Sequence, residues 1–282
     1  MSWMHRSGRA LGALLICGGL ALGVAAQEPA GEAKAAITAA AKVQQEARGK
    51  RGEERTAILE RAVAAFDQAA KDFAGDKVAS QEALYRGAGI LRGLGRNDEA
   101  RERYERAVEL GAVKANTARS MLELGHLARR RSDVAGAKAW YERVASEFAT
   151  LLPYRDDALL WLGKLFRDQG NQAAARERWQ PVAEGGESAS DRIQAFDLIA
   201  RSWLAQSDAK QAAAVIAACD EAFREQATED TAEGRRIAGA LERMRSRAEL
   251  EKAGDGGGDT GGDDAEGTPA PKPKGSGDRG KR

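Results

Sequence analysis

The sequence predicts an all-α protein built from a repeated helix–turn–helix unit. Composition is the first reason. Ala, Leu, Glu, Arg and Gln are abundant, prolines number six, and β-branched residues never gather into the alternating runs a strand needs. The second is a pattern written twice. Met121-Leu122-Glu123-Leu124-Gly125 is followed by Ala137 and Tyr141, and Leu159-Leu160-Trp161-Leu162-Gly163 by Ala175 and Trp179, with 12 residues from Gly to Ala and 4 from Ala to aromatic each time. The third is its extension to both sides. Ala88, Gly125, Gly163 and Ala200 stand 37, 38 and 37 residues apart, and a fixed period across two helices marks a stacked array.

In chain order, the N-terminus reads as an export signal. Arg6 and Arg9 give a basic start, Leu11 to Leu22 an apolar stretch, and Val24-Ala25-Ala26 a small-residue cleavage site, so residues 1–26 are expected to be removed. The apolar run Ala10–Ala26 has 17 residues, against about 20 for a spanning helix. Left uncleaved, it would be an inner-membrane anchor with the rest of the chain facing the periplasm. Ile16 is bulky where a lipidation box before Cys17 wants a small residue. Cleavage leaves one cysteine, Cys219, and one histidine, His126. A single thiol closes no disulfide within the chain, so stability must come from helix packing.

Residues 31–77 read as a degenerate helix pair, with helices at 31–48 and 52–73 around Gly49-Lys50-Arg51-Gly52; Ile58, Leu59, Ala62, Val63, Phe66, Ala69, Ala70 and Phe73 form the apolar stripe of the second. Residues 78–224 hold the array. Small residues at the Gly125 and Ala137 positions let two helices approach, and Leu124, Tyr141, Leu162, Phe166 and Trp179 fill the space around them. Turns are expected at Gly95-Arg96-Asn97-Asp98, Ser132-Asp133, Gly170-Asn171 and Ser207-Asp208, with Asp98, Asp133 and Asp208 just ahead of the next helix. Residues 228–252 predict one more helix, starting at Thr228, whose stripe Ile237, Leu241 and Met244 would cap the array. The tail 253–282 is rich in Gly, Asp, Pro and Lys, has almost nothing apolar to bury, and is expected to be disordered.

The chemistry-bearing residues are sparse. One mature histidine builds neither a His-based metal cluster nor a Ser–His–Asp arrangement, so no catalytic residue, metal or cofactor is expected. His126 reads as solvated or groove-lining, and Cys219, within Ala217-Ala218-Cys219, as packed and inert. Asp156-Asp157 and Glu229-Asp230 fall at predicted helix starts, where they offset the helix dipole. The glycine pairs near 93–95 and 185–186 follow no strand, which removes the phosphate-loop reading. Lys and Arg number 44 against 43 for Asp and Glu, so no global charge draws nucleic acid or an anionic membrane.

This pattern resembles the tetratricopeptide repeat family, through Leu159, Leu162-Gly163, Phe166, Gly170, Ala175 and Trp179, and through Ala100, Tyr104 and Ala107 in the 100–107 segment. Two departures stand out: units three or four residues longer than the family's ~34, and outer units in which Ala88 and Ala200 replace the glycine. The resemblance spans roughly 78–224 and implies a right-handed α-solenoid that binds a protein or peptide in its concave groove. It also implies that the first helix of each unit lines that groove. Carried over, the groove residues are Tyr85, Arg92, His126, Arg129, Lys164, Arg167 and Arg201, with Arg119, Leu122, Asp157, Leu160, Gln194 and Asp197 between them. The recurring cations fit an acidic or carboxylate-terminated partner. The expectation is a non-enzymatic interaction scaffold in the periplasm or cell envelope. A membrane-tethered accessory or chaperone-like factor of an envelope complex is the alternative.

Overall fold

A computed structural model describes residues 31–252, and within them the chain is entirely helical, with no strand. The expected signal at 1–26, Cys17 and the tail 253–282 lie outside the described residues. The chain divides into two compact units meeting at Gln169 and Gly170. The first holds α1 (Gly31–Glu46), α2 (Gly52–Asp72), α3 (Lys77–Gly93), α4 (Asn97–Leu110), α5 (Lys114–Arg130), α6 (Val134–Glu147) and α7 (Leu152–Asp168). The second holds α8 (Gln172–Gly185), α9 (Ala189–Leu204), α10 (Ala209–Thr228) and α11 (Ala232–Lys252).

The repeat period is also carried by the backbone of the turns. Gly95, Ser132, Gly170 and Ser207 all take a left-handed conformation, with φ of 78°, 61°, 79° and 59°. That conformation stops a helix by turning the chain away from the next hydrogen bond. Each is followed by a helix start, and three of the four carry a side-chain cap. Asp133 accepts from the Gly136 N–H at 2.8 Å, Asn171 from Ala174 at 3.0 Å and Asp208 from Gln211 at 3.0 Å. The first turn departs from expectation. Arg96, not Asp98, precedes α4 and offers no side-chain cap. Asp98 lies within the first helical turn, where it favours the helix dipole and pairs with Arg131 at 2.7 Å.

In the first unit, consecutive helices pack against one another as antiparallel neighbours. Phe66, Leu91, Tyr104, Met121, Leu124, Leu127, Tyr141 and Leu162 are each at most 2 % exposed. At Gly125, α5 comes into close contact with α6. A Cβ there would fall 2.8 Å from Cδ1 and from Cζ of the Tyr141 ring, so the missing side chain is what admits the ring. Two buried polar side chains, Gln81 and Ser80, are matched to partners. Gln81 of α3 is fully buried; its amide donates to the Ala107 carbonyl at 2.9 Å and to Thr117 Oγ1 at 2.8 Å, and its oxygen accepts from the Val113 N–H at 2.6 Å. One side chain thus fixes the connection between α4 and α5, and an unpaired amide left there would cost about 1–3 kcal/mol. Ser80 likewise donates towards the Ala70 and Phe73 carbonyls at the end of α2.

The first helices of successive pairs, α1, α3, α5 and α7, touch one another in sequence, whereas α2, α4 and α6 make no such contact among the described residues. Helices that close up on one side and splay on the other give this unit a concave face lined by α3, α5 and α7. Asp156 differs from its expected role. With α7 starting at Leu152 and Pro153 in its first turn, Asp156 is already past the helix end, fully buried, and bound by Arg155 at 2.5 Å and 2.8 Å.

In the second unit, α9 packs against α8, α10 and α11, and α10 also packs against α11. Trp179, Cys219, Phe223, Leu241 and Met244 are buried. The last helix begins later than its sequence suggests. Thr228 still belongs to α10, and α11 opens after Thr231, whose Oγ1 accepts from the Gly234 N–H at 2.9 Å. The stripe Ile237, Leu241 and Met244 is buried as expected. Among the described residues no helix is long and apolar enough to cross a membrane.

Candidate partner-binding face

Successive turns of α3, α5 and α7 bring five of the seven sequence-predicted residues onto the concave face of the first unit. Its centre is Trp161, half-buried on α7. The Arg129 guanidinium carbon and Lys164 Nζ each lie 4.2 Å from the centroid of its ring. His126 meets the same ring edge-on at 5.2 Å, and Tyr141 stacks on it at 6.4 Å with 17° between the planes. Two cations against one indole are held by its quadrupole, about 0.5–1 kcal/mol each and more where water is excluded.

His126 is packed rather than solvated. Its Nδ1 is 2.6 Å from the Tyr141 hydroxyl. Burial pushes its pKa down to about 4, with the nearby charges of Arg129, Arg92, Arg130 and Lys164 acting the same way. Burial also raises the Tyr141 phenol well above its ordinary value. Near neutral pH both groups are therefore uncharged, and one hydrogen bond joins the phenol oxygen to Nδ1, its direction set by the imidazole tautomer. The pair locks the Trp161 surroundings without adding charge of its own.

Along the same face, Arg92 pairs with Glu123 at 3.1 Å. The Arg119 guanidinium lies 5.5 Å over the Tyr154 ring, and Tyr85 and Tyr104 rings are 5.9 Å apart. Burial raises the Tyr85 pKa, opposed in part by Arg119. The result is a strip in which Arg and Lys alternate with aromatic rings. Leu122 and Leu160, expected between the groove residues, are instead buried in the core.

The remaining two predicted residues are placed differently. Arg167 donates twice to Asp168 Oδ1, at 2.9 Å and 2.8 Å, in a pair on one turn of helix. Arg201 belongs to the second unit, on α9, with Nη1 3.9 Å from Asp197. Asp197 is itself gripped by Arg247 of α11 at 2.8 Å and 2.9 Å. The sequence reading missed Trp161, Tyr154 and Glu123 as groove residues. Helical spacing could have found them, because 154, 157, 161 and 164 share one face of a helix, as do 119, 123 and 126. Among the described residues no three His, Cys, Asp or Glu side chains gather as a metal ion would require.

No family model matches the chain, and no curated protein matches it. Solved structures do resemble it. A crystal structure of TPR-like repeats from a putative Podosopora anserina kinesin light chain is 17 % identical, covers 70 % of this chain and 97 % of its own, and superposes with a TM-score of 0.50. The fold is TPR-like. The MamA protein, 17 % identical over 71 % of this chain and 98 % of its own, superposes at a TM-score of 0.49. A TPR protein of Thermus thermophilus, 20 % identical over 74 % of this chain and 98 % of its own, does so at 0.34. At such identities the likeness is one of fold, and the TPR-like helix pairs explain the position of the face without specifying what it meets.

Proposed function

We propose that this chain is an exported, non-catalytic scaffold that holds an acidic protein or peptide partner on the concave face of α3, α5 and α7. The observation that carries this reading is the Arg129–Trp161–Lys164 stack. Cations resting on an aromatic ring are partly desolvated and held in one geometry, so pairing with a carboxylate requires less reordering than it does for a solvated side chain. Trp and Arg are also the residue types most enriched where binding energy concentrates. The export signal read from residues 1–26 supports a partner in the periplasm or cell envelope.

Crosslinking in cells, followed by identification of what is captured, supplies the partner. Charge reversal at Arg129 together with Lys164 should then weaken its binding at least about tenfold, measured by titration of the purified pair. Reversal at Arg167, already paired with Asp168, should do less. Unchanged binding of every recovered partner to the Arg129/Lys164 variant would remove the reading. A second reading, a membrane-tethered accessory or chaperone-like factor, draws support from the apolar run Ala10–Ala26. Intact mass of the exported protein decides between them, since cleavage after Ala26 removes 26 residues.

A further inference from the structure

Away from the concave strip, the end of α1, the start of α2 and the middle of α3 frame an open pocket of about 490 Å³. Four cations line it: Arg48 and Lys50 from the α1–α2 connection, Arg55 from α2 and Arg86 from α3. Among the described residues no carboxylate lines it. Ala47 and Leu59 supply an apolar floor.

The charges are only partly balanced from outside. Lys50 is 2.6 Å from Glu54, and Arg86 is 2.6 Å from Glu82. Arg48 and Arg55 have no side-chain hydrogen bond or ion pair among the described residues. Four cations against two carboxylates leave two positive charges facing one space. All four residues are exposed, so water and salt screen their mutual repulsion, while an anion in the pocket would be attracted by each of them. Guanidinium groups present fork-shaped donors that match phosphate oxygens, and a phosphate monoester carries the matching charge of nearly two. The backbone contributes little here. The Lys50 N–H goes to the Ala47 carbonyl and the Arg48 N–H to that of Gln45, so side chains must supply the donors. A pocket of this size exceeds a bare phosphate and falls within the range of small-ligand sites. The remainder of the ligand would therefore rest on Leu59 and Ala47.

We propose that the pocket between α1, α2 and α3 binds a phosphate monoester, with Arg48 and Arg55 as its principal donors. The phosphate could come from a soluble phosphate ester or from a lipid headgroup, and the experiment separates the two. The full chain at low ionic strength is titrated calorimetrically with glycerol 3-phosphate, and separately with vesicles of phosphatidic acid in phosphatidylcholine. Saturable binding of glycerol 3-phosphate that is weakened about a hundredfold in Arg48→Gln/Arg55→Gln supports the soluble source, at roughly tenfold per lost charge-assisted contact. Binding to the vesicles alone, with the same loss, supports the headgroup. Arg61→Gln, which removes a pair with Glu46, should bind as the unaltered protein does. Should the double variant lose its helical circular dichroism, the two single variants decide, each expected about tenfold weaker. No saturation with either probe, or equal binding by the arginine variants, overturns the proposal.

Discussion

On α5 and α7 of the first unit, Arg129 and Lys164 rest on the ring of Trp161. On α9 of the second unit, Arg201 lies beside Asp197, whose carboxylate is held by Arg247 of α11. Both arrangements begin from a cation on the first helix of a pair. In the first unit an aromatic ring supports it on the concave face. In the second unit the protein brings a further helix to the same position, ties it with Arg247 to Asp197 and Arg245 to Asp220, and satisfies the face internally. A recurring residue type thus marks a recurring place in the fold, and the neighbouring helix determines whether that cation packs on an aromatic ring or beside a carboxylate.

The largest expected effect comes from removing the close approach beneath the aromatic strip. Gly125→Val puts branched carbon where the Tyr141 ring lies. It should destabilise the first unit by about 3 kcal/mol, as overpacking with little room to yield does. Urea unfolding together with hydrogen exchange would show the loss in α5 and α6, with α10 and α11 little changed. A loss spread equally over both units would mean that the strip is not the separate element described above.

Acid should act next most strongly, and again on the first unit. The folded pKa of His126 is depressed to about 4, against about 6.5 in an unfolded chain. The unfolded chain therefore binds the extra proton between these values. Stability is fully present above about pH 6.5, falls as pH drops from there to about 4, and loses no more to this group below that. The loss between pH 7 and 4.5 should approach 2–3 kcal/mol. His126→Gln should remove most of that slope in denaturant titrations at the two pH values. An unchanged slope would show that His126 is not the titrating group.

The smallest effect should come from the second unit. Arg247→Ala breaks the pair with Asp197, at side-chain exposures of 39 % and 23 %, and should cost about 1 kcal/mol or less. Its informative readout is hydrogen exchange in α11, which should quicken while α3, α5 and α7 stay protected. The same variant frees Asp197 beside Arg201. If α11 is what satisfies this face, partner affinity on the first unit should not change.

The fold was legible because small and aromatic positions recur, and the turns repeat their spacing. The left-handed residues Gly95, Ser132, Gly170 and Ser207 follow the same 37, 38, 37 intervals as Ala88, Gly125, Gly163 and Ala200. Helix ends were less legible because several nearby side chains can compete for a cap. Thr228 and Thr231 are equivalent in sequence, and only packing carries α10 through the first and places the second before α11. On the concave face, charge was visible but its support was not. Trp161 reads as a packing residue of the repeat pattern. That it stays half-buried and gathers Arg129, Lys164 and His126 depends on the neighbouring helix α5, which sequence spacing alone does not orient. Asp156 shows the converse, since an acid near a helix start can lie on the buried side and take an arginine with it.

Cys219 offers a further use of the division into two units. Its side chain is fully buried in the second unit, and burial pushes its thiol pKa up to about 12. Thiolate is the reactive form, so a maleimide in solution meets almost none of it until α9, α10 and α11 part. The labelling rate at Cys219 is then set by how often the second unit opens and serves as a clock built into the chain. Comparing that clock with and without a ligand on the first unit would measure whether one unit feels what the other binds.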